Sequence, residues 1–287
     1  MKRSQFVIQT ALLSATAFFS ARAKADAGTL RVSMIPEVAT TADSYRLKQP
    51  LVDMLSQATG WKIDLTIPVN YAAVVEAMGA GKLDLAYFGG LTYCQAHERY
   101  GARPLVQRTV DMSFRSLFIT QADNKTVNAL PDVAGKTFAY GDVNSTSGHL
   151  MPAYNLLQAH VDPDTGPSKV IYTGNHTATI LAVASGKVDA GAVDENVYTT
   201  MLAGGKVAAD SLRVFFTTPP FYDYCWAASA SLDPVVAQKI SQAFLSLDAS
   251  RPADKAVLDL LRAQKYAVAD DKNYAVLKSI ARKLGLL

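Results

Sequence analysis

The sequence predicts an α/β protein of two similar lobes facing one ligand cleft. Two observations carry that expectation. One segment recurs at an offset of 105 residues, and strands alternate with helices along the rest of the chain. The length of 287 residues suits one large domain or two modest ones, and 49% hydrophobic with 18% charged residues is an ordinary globular composition. That composition excludes a disordered, collagenous or disulfide-dense chain.

The first copy of the repeat spans 71–88, from Tyr71-Ala-Ala-Val-Val through Gly81-Lys82-Leu83-Asp84 to Tyr87-Phe88. The second spans 176–193, from His176-Thr-Ala-Thr-Ile through Gly186-Lys187-Val188-Asp189 to Val193. Each copy reads as a helix closed by glycine and followed by a short apolar strand. Further strands fit 30–35, 62–68, 117–120, 137–140, 170–172 and 214–217. Helices fit 45–59, 92–100, 148–159, 197–203, 234–246 and 252–261. Such alternation implies parallel-type sheets, with ligands bound beyond the C-terminal strand ends. The tail 233–287 is helical in pattern and expected to pack on the first lobe.

The N-terminus has the three parts of a cleavable export signal: Lys2-Arg3, an apolar run over 6–19, and Ala21-Arg-Ala-Lys-Ala25. The run is too short and too polar for a membrane span. Cleavage after Ala25 removes four basic residues and leaves 24 against 25 acidic ones. The formal +3 therefore belongs to the signal, and nucleic-acid binding loses its electrostatic support. Export permits a disulfide, but Cys94 and Cys225 sit in apolar settings and read as buried free thiols; no C-x-x-C supports a metal or redox role.

Two loops lie at predicted strand ends. Strand 137–140 runs into Gly141-Asp-Val-Asn-Ser145-Thr146-Ser147-Gly148 and then a helix, placing hydroxyls and free N–H groups around one point. Read alone, the loop is equally an N-cap with spare serines. It is not a Walker A loop. Strand 83–88 runs into Gly89-Gly90-Leu91-Thr92, where paired glycines permit close approach of backbone to a ligand, or make a plain tight turn. The equivalent level of the second lobe carries Asp194-Glu195-Asn196. Tyr71 and His176 are matched at the two helix starts, and become oxyanion donors if they face a cleft.

These segments, together with Tyr222-Asp223-Tyr-Cys-Trp226, resemble the periplasmic phosphonate-binding proteins of ABC importers, which have phosphate- and phosphite-binding relatives. The resemblance covers nearly the whole chain after the signal, with Asn144-Ser-Thr-Ser-Gly148 its most specific stretch. It implies a type II periplasmic binding protein fold with two crossover strands: a signal at 1–25, one lobe from 26–118 and 224–287, and the other from 119–223. It implies that Ser145, Thr146 and Ser147 bind the phosphonate oxygens with Tyr71 and His176. Phe88 and Gly89 belong to the same site, and Glu195 and Asp223 match positions that hold the ammonium of aminoethylphosphonate. At Phe88 the chain departs from the family pattern, where a tyrosine hydroxyl is frequent; Tyr87, Thr92 and Tyr93 are the neighbouring hydroxyls.

The expected function is capture of a small organophosphonate, an aminoalkyl one such as 2-aminoethylphosphonate, for delivery to ABC permease subunits. The protein is expected to work in the periplasm, as a monomer, without cofactor, metal or nucleic acid. A carboxylate pair beside a bound dianion is repulsive unless a cation lies between, which favours a zwitterionic ligand. The alternatives are a phosphate, phosphite or other tetrahedral oxyanion, a periplasmic sensor module, or a secreted hydrolase using Ser145 or Ser147 with His176. Against the hydrolase, the chain lacks a Gly-x-Ser-x-Gly elbow, and His97-Glu98 lacks the second histidine of a zinc site.

Overall fold

The computed structural model describes residues 28–39, 43–208 and 210–287. The export signal expected at 1–25 lies outside the described residues.

Eleven strands are present among the described residues. The first six are β1 (Thr29–Met34), β2 (Lys62–Thr66), β3 (Leu85–Phe88), β4 (Arg103–Arg108), β5 (Ser116–Gln121) and β6 (Thr137–Tyr140). The others are β7 (Lys169–Tyr172), β8 (Ala190–Asp194), β9 (Leu212–Thr217), β10 (Cys225–Ala228) and β11 (Tyr266–Val268). They form a six-stranded sheet ordered β11-β4-β10-β3-β1-β2 and a five-stranded sheet ordered β7-β6-β8-β5-β9. One apolar core surrounds the first sheet, while the second has a core on each face because successive residues such as Leu117, Phe118 and Ile119 point to opposite sides.

The repeat is structural. The helices Tyr71–Gly79 and His176–Ala184 are each nine residues long, and each starts at an asparagine. The Asn70 side chain accepts from Ala73 N and that of Asn175 from Ala178 N, both at 2.9 Å. Gly81 and Gly186 both take left-handed backbone, at φ 67° and 70°, which closes each helix with no Cβ penalty. Asp84 and Asp189 then accept a backbone N–H from the neighbouring strand, at Arg31 (2.8 Å) and Thr137 (2.7 Å). These matched bonds place Tyr71 and His176 at equivalent points of the two lobes.

The sheets depart from the parallel expectation in one respect. β10 pairs antiparallel with β3 and β4, and β5 pairs antiparallel with β8 and β9. Each of these strands enters its sheet directly from the other lobe rather than through a crossover helix, so its direction is reversed. The two connections run side by side. Phe114 and Phe221 exchange both backbone hydrogen bonds (2.8 and 2.9 Å), and Asp223 N donates to Asp111 O at 2.9 Å.

Smaller differences have local causes. The stretch 45–59 is two helices, Asp43–Leu47 and Gln49–Thr59, because Pro50 begins a new one. The helix expected from Gly148 opens as one wide, π-type turn, Thr146–Leu150, before Met151–Gln158. The tail packs against the first sheet and supplies its edge strand β11. Cys94 and Cys225 are free and buried, and burial pushes the Cys94 thiol up to about 12.

Candidate functional site

The site lies where the C-terminal ends of β3, β6 and β8 meet across the two lobes. Five hydrogen bonds join the lobes there. Leu91 N donates to Thr146 Oγ1 at 2.9 Å, Gln95 Nε2 to Asn144 Oδ1 at 2.9 Å, and Tyr71 N to Asp142 Oδ2 at 3.4 Å. His176 N donates to Glu37 O at 3.2 Å, and Tyr224 Oη to Asp194 Oδ2 at 2.8 Å. Gly90 permits this approach: a Cβ there would meet Leu277 Cδ1 at 2.5 Å and Tyr222 O at 3.3 Å.

Tyr71, Ser145, Thr146, Ser147, His176 and Asp223 are all buried to within 2% of full exclusion. Buried polar atoms ordinarily find a partner, so those that do not are informative. Among the described residues, Tyr71 Oη, Ser147 Oγ, His176 Nε2 and Asp223 Oδ2 have no hydrogen-bond partner in the protein. The other two hydroxyls are engaged: Ser145 Oγ accepts from Gly148 N (3.0 Å), and Thr146 Oγ1 from Leu91 N. Ser145 caps the turn, Thr146 links the lobes, and Ser147 presents a free hydroxyl.

The polarity of His176 is settled by its other nitrogen. Asp194 N donates to His176 Nδ1 at 3.2 Å, and an N–H can only donate, so the ring proton sits on Nε2. Burial lowers the pKa of the ring, against the opposing pull of Asp194 and Asp142, and the imidazole is neutral. Gly148 makes room for it, since a Cβ there would meet His176 Cε1 at 2.9 Å. Burial likewise raises Tyr71 well above the ordinary phenol, reinforced by Asp142, Asp194 and Asp223, so its hydroxyl keeps its hydrogen. The cluster therefore offers Tyr71 Oη–H, Ser147 Oγ–H and His176 Nε2–H as neutral donors to an oxyanion.

Asp223 opposes them. Its Oδ1 accepts from Gly90 N at 2.8 Å and its Oδ2 is unmatched. Burial pushes the carboxyl up to about 8, although the Gly90 amide and Thr146 hydroxyl pull the other way. Glu195 is only half-buried at the first position of the helix Glu195–Ala203, and no hydrogen bond joins its carboxylate to the cluster. The enclosed carboxylate of that strand end is Asp194, which caps the helix through Val197 N (2.8 Å). Phe88 is fully buried at the end of β3, paired with Cys225 in the sheet. Of its neighbours, Tyr93 donates to Asp271 and Thr92 to Gly89 O, while the Tyr87 ring stacks on Tyr224.

No ion pair brings Lys or Arg to the cluster among the described residues. Arg108, buried behind Tyr224, is committed to Asp111 at 2.6 Å. A groove of about 700 Å³ runs past Met151, Tyr154, Phe221 and Val276, and none of the cluster's side chains lines it. A smaller groove of about 260 Å³ opens over the two helix starts, between Ile67–Val69 and Gly174–Asn175.

Residues 34–274 match the family described as ABC transporter, phosphonate, periplasmic substrate-binding protein. A probable ABC transporter phosphite-binding protein of Prochlorococcus marinus is 30% identical, with 97% of each chain covered. A phosphate-import protein of Mycolicibacterium smegmatis is 32% identical over 75% of this chain and 71% of its own. The solved structure of the Prochlorococcus marinus protein with methylphosphonate aligns with a TM-score of 0.83 at 29% identity, covering 90% of this chain and 99% of that one. An alkanesulfonate-binding protein of Xanthomonas axonopodis, 18% identical, shares the fold with a TM-score of 0.63, covering 92% of this chain and 95% of its own. The architecture is the two-sheet type II periplasmic binding protein fold, and the role is binding rather than catalysis. The chain belongs to the periplasmic substrate-binding proteins of phosphonate ABC transporters.

Proposed function

We propose that the chain captures 2-aminoethylphosphonate or a close aminoalkyl relative, with the phosphonate oxygens on Tyr71, Ser147 and His176 and the ammonium on Asp223. The observation that carries this reading is the pairing of three unmatched neutral donors with one unmatched carboxylate oxygen among buried side chains. A dianion beside an ionised carboxylate is repelled in a poorly solvated site, and an ammonium between them removes the repulsion. It also draws the proton off Asp223. Glu195, at the rim, supplies a second negative charge to that end. In this reading Ser145 and Thr146 shape the loop, and Phe88 and Gly89 wall the site.

A second reading is favoured by the high pKa of Asp223, about 8. A carboxyl that keeps its proton can share it with a monoanionic P–OH group, and such a site would take phosphite, phosphate or methylphosphonate. The names of the phosphite-binding relative and the methylphosphonate complex suit that ligand class.

Calorimetric titration with 2-aminoethylphosphonate, ethylphosphonate, methylphosphonate and phosphite separates the two. The ammonium reading expects the amino compound to bind at least tenfold more tightly than ethylphosphonate, and Asp223→Asn to abolish the difference. Equal affinity of the two, with Asp223→Asn harmless to both, would remove the ammonium from the site. Delivery to permease subunits is tested by uptake of the bound ligand in cells carrying the S147A chain.

A further inference from the structure

The donor set works only if His176 presents a proton, and the ring has two nitrogens on which to carry it. We infer that Tyr224 is a positioning residue for ligand capture: its hydroxyl, donated across the lobes to Asp194, holds the arrangement that keeps the His176 proton on Nε2. The inference rests on the reading that His176 Nε2 donates to the ligand.

Tyr224 belongs to the first lobe and cannot easily swing. Its ring stacks on Tyr87 at 5.3 Å and meets Phe114 edge-on at 5.4 Å, and the Arg108 guanidinium lies 5.0 Å above it. The hydroxyl reaches Asp194 Oδ2 at 2.8 Å, while Oδ1 takes Val197 N at 2.8 Å. Both oxygens of this fully buried carboxylate are thereby matched. The same residue's backbone N–H faces His176 Nδ1 at 3.2 Å.

The alternative arrangement shows why the hydroxyl matters. A buried carboxylate oxygen without a donor competes for any nearby proton. The imidazole is the nearby source, and the charges acting on it are those of Asp194 and Asp142. Asp142 is held by Asn144 N (2.7 Å) and Tyr71 N, which leaves Asp194 as the carboxylate Tyr224 controls. With Oδ2 bare, the ring turns its proton toward Asp194 or takes up a second one, and Nε2 no longer has the neutral donor form. The bond joins the two lobes next to their paired connections, where Asp223 N meets Asp111 O, so it is in place before a ligand arrives.

The test uses the full chain and Tyr224→Phe, which keeps the ring and its packing. Imidazole nitrogen NMR on ligand-free protein at neutral pH reads the tautomer directly. Wild type is expected to show His176 protonated on Nε2, and Y224F to show a shift toward the Nδ1–H or cationic form. His149 is an internal control for folding. Its Nδ1 faces Val143 O at 2.7 Å and its Nε2 faces the Tyr172 hydroxyl at 3.0 Å, so it has the opposite tautomer in both proteins. Titration with methylphosphonate is expected to weaken about tenfold in Y224F, with no further loss when Y224F is added to His176→Gln. A Y224F protein that keeps the Nε2–H form and binds within twofold of wild type overturns the inference. The tautomer readout needs no ligand, so it judges Tyr224 even if H176Q leaves binding unchanged, the result that would sink the His176 reading instead.

Discussion

In the proposed site a single ring nitrogen decides whether His176 attracts an anion, and a single hydroxyl hydrogen decides the same for Ser147. Neither carries a net charge, so their contribution depends on being aimed and dry. Removing one such donor leaves a ligand oxygen unmatched in a closed site, and Ser147→Ala is expected to weaken methylphosphonate binding about tenfold by calorimetry. Unliganded stability should hold or rise slightly, because Ser147 Oγ has no partner in the protein to lose. Asp223 makes a pH prediction. An ordinary aspartate ionises near pH 4, and this one keeps its proton to about 8. Between those values the folded protein holds a proton the unfolded chain has released, so stability falls as pH rises. The melting-temperature advantage of Asp223→Asn over wild type should therefore grow from pH 5 to pH 8.5 and level off above. Asp111, pushed up to about 6 by burial, contributes a shallower decline common to both proteins. Parallel curves would show that Asp223 is not the group responsible.

At the scale of elements, the two repeated helices act as brackets. Asn70 and Asn175 fix where each helix begins, and hence where Tyr71 and His176 stand. Asn175→Ala is expected to cost about 1 kcal/mol in denaturant unfolding and to weaken ligand binding beyond what that loss explains, because the first residue of the helix is His176. The cap was readable in advance, since Asn followed by a helical period is a local signal; what the first residue faces was not. The C-terminal segment shows the same division. Its helix Ala275–Lys283 packs on the first lobe, as its apolar pattern suggests, yet Lys283 lies over the Tyr154 ring of the second. Gln95 Nε2 donates both to Asn144 Oδ1 and to Leu286 O, tying this tail to the residue before Ser145. Gln95→Leu is expected to weaken binding severalfold through a faster off-rate, read by stopped-flow fluorescence, with the unfolding midpoint little changed.

The whole molecule is two lobes joined by two connections that pair antiparallel, and its motion follows from that. In the proposed site the ligand donors come from both lobes, so the ligand stabilises only the closed arrangement. Methylphosphonate at a hundredfold excess over its Kd is expected to add about 2.7 kcal/mol to stability and to reduce the radius of gyration in small-angle scattering. Stabilisation without compaction would mean that the lobes are already closed before binding.

The sequence by itself determined the two-lobe plan, the repeat and its caps, and the serine loop. Each of these is written in neighbours a few residues apart: a 3.6-residue period, an asparagine before a helix, a glycine after one. The tertiary structure decided which groups of the candidate set are free. Ser145, Thr146 and Ser147 are alike in chemistry, and only the approach of Gly148 and Leu91 reserves the third. Asp223 rather than Glu195 is the enclosed carboxylate because Gly90, 133 positions away, supplies its donor. β10 runs antiparallel because the chain returns to its sheet from the other lobe, a fact about connection that no local pattern records. Hydrogen-bond partners assigned across such separations are properties of the whole fold, and the specificity proposed for this site rests on them.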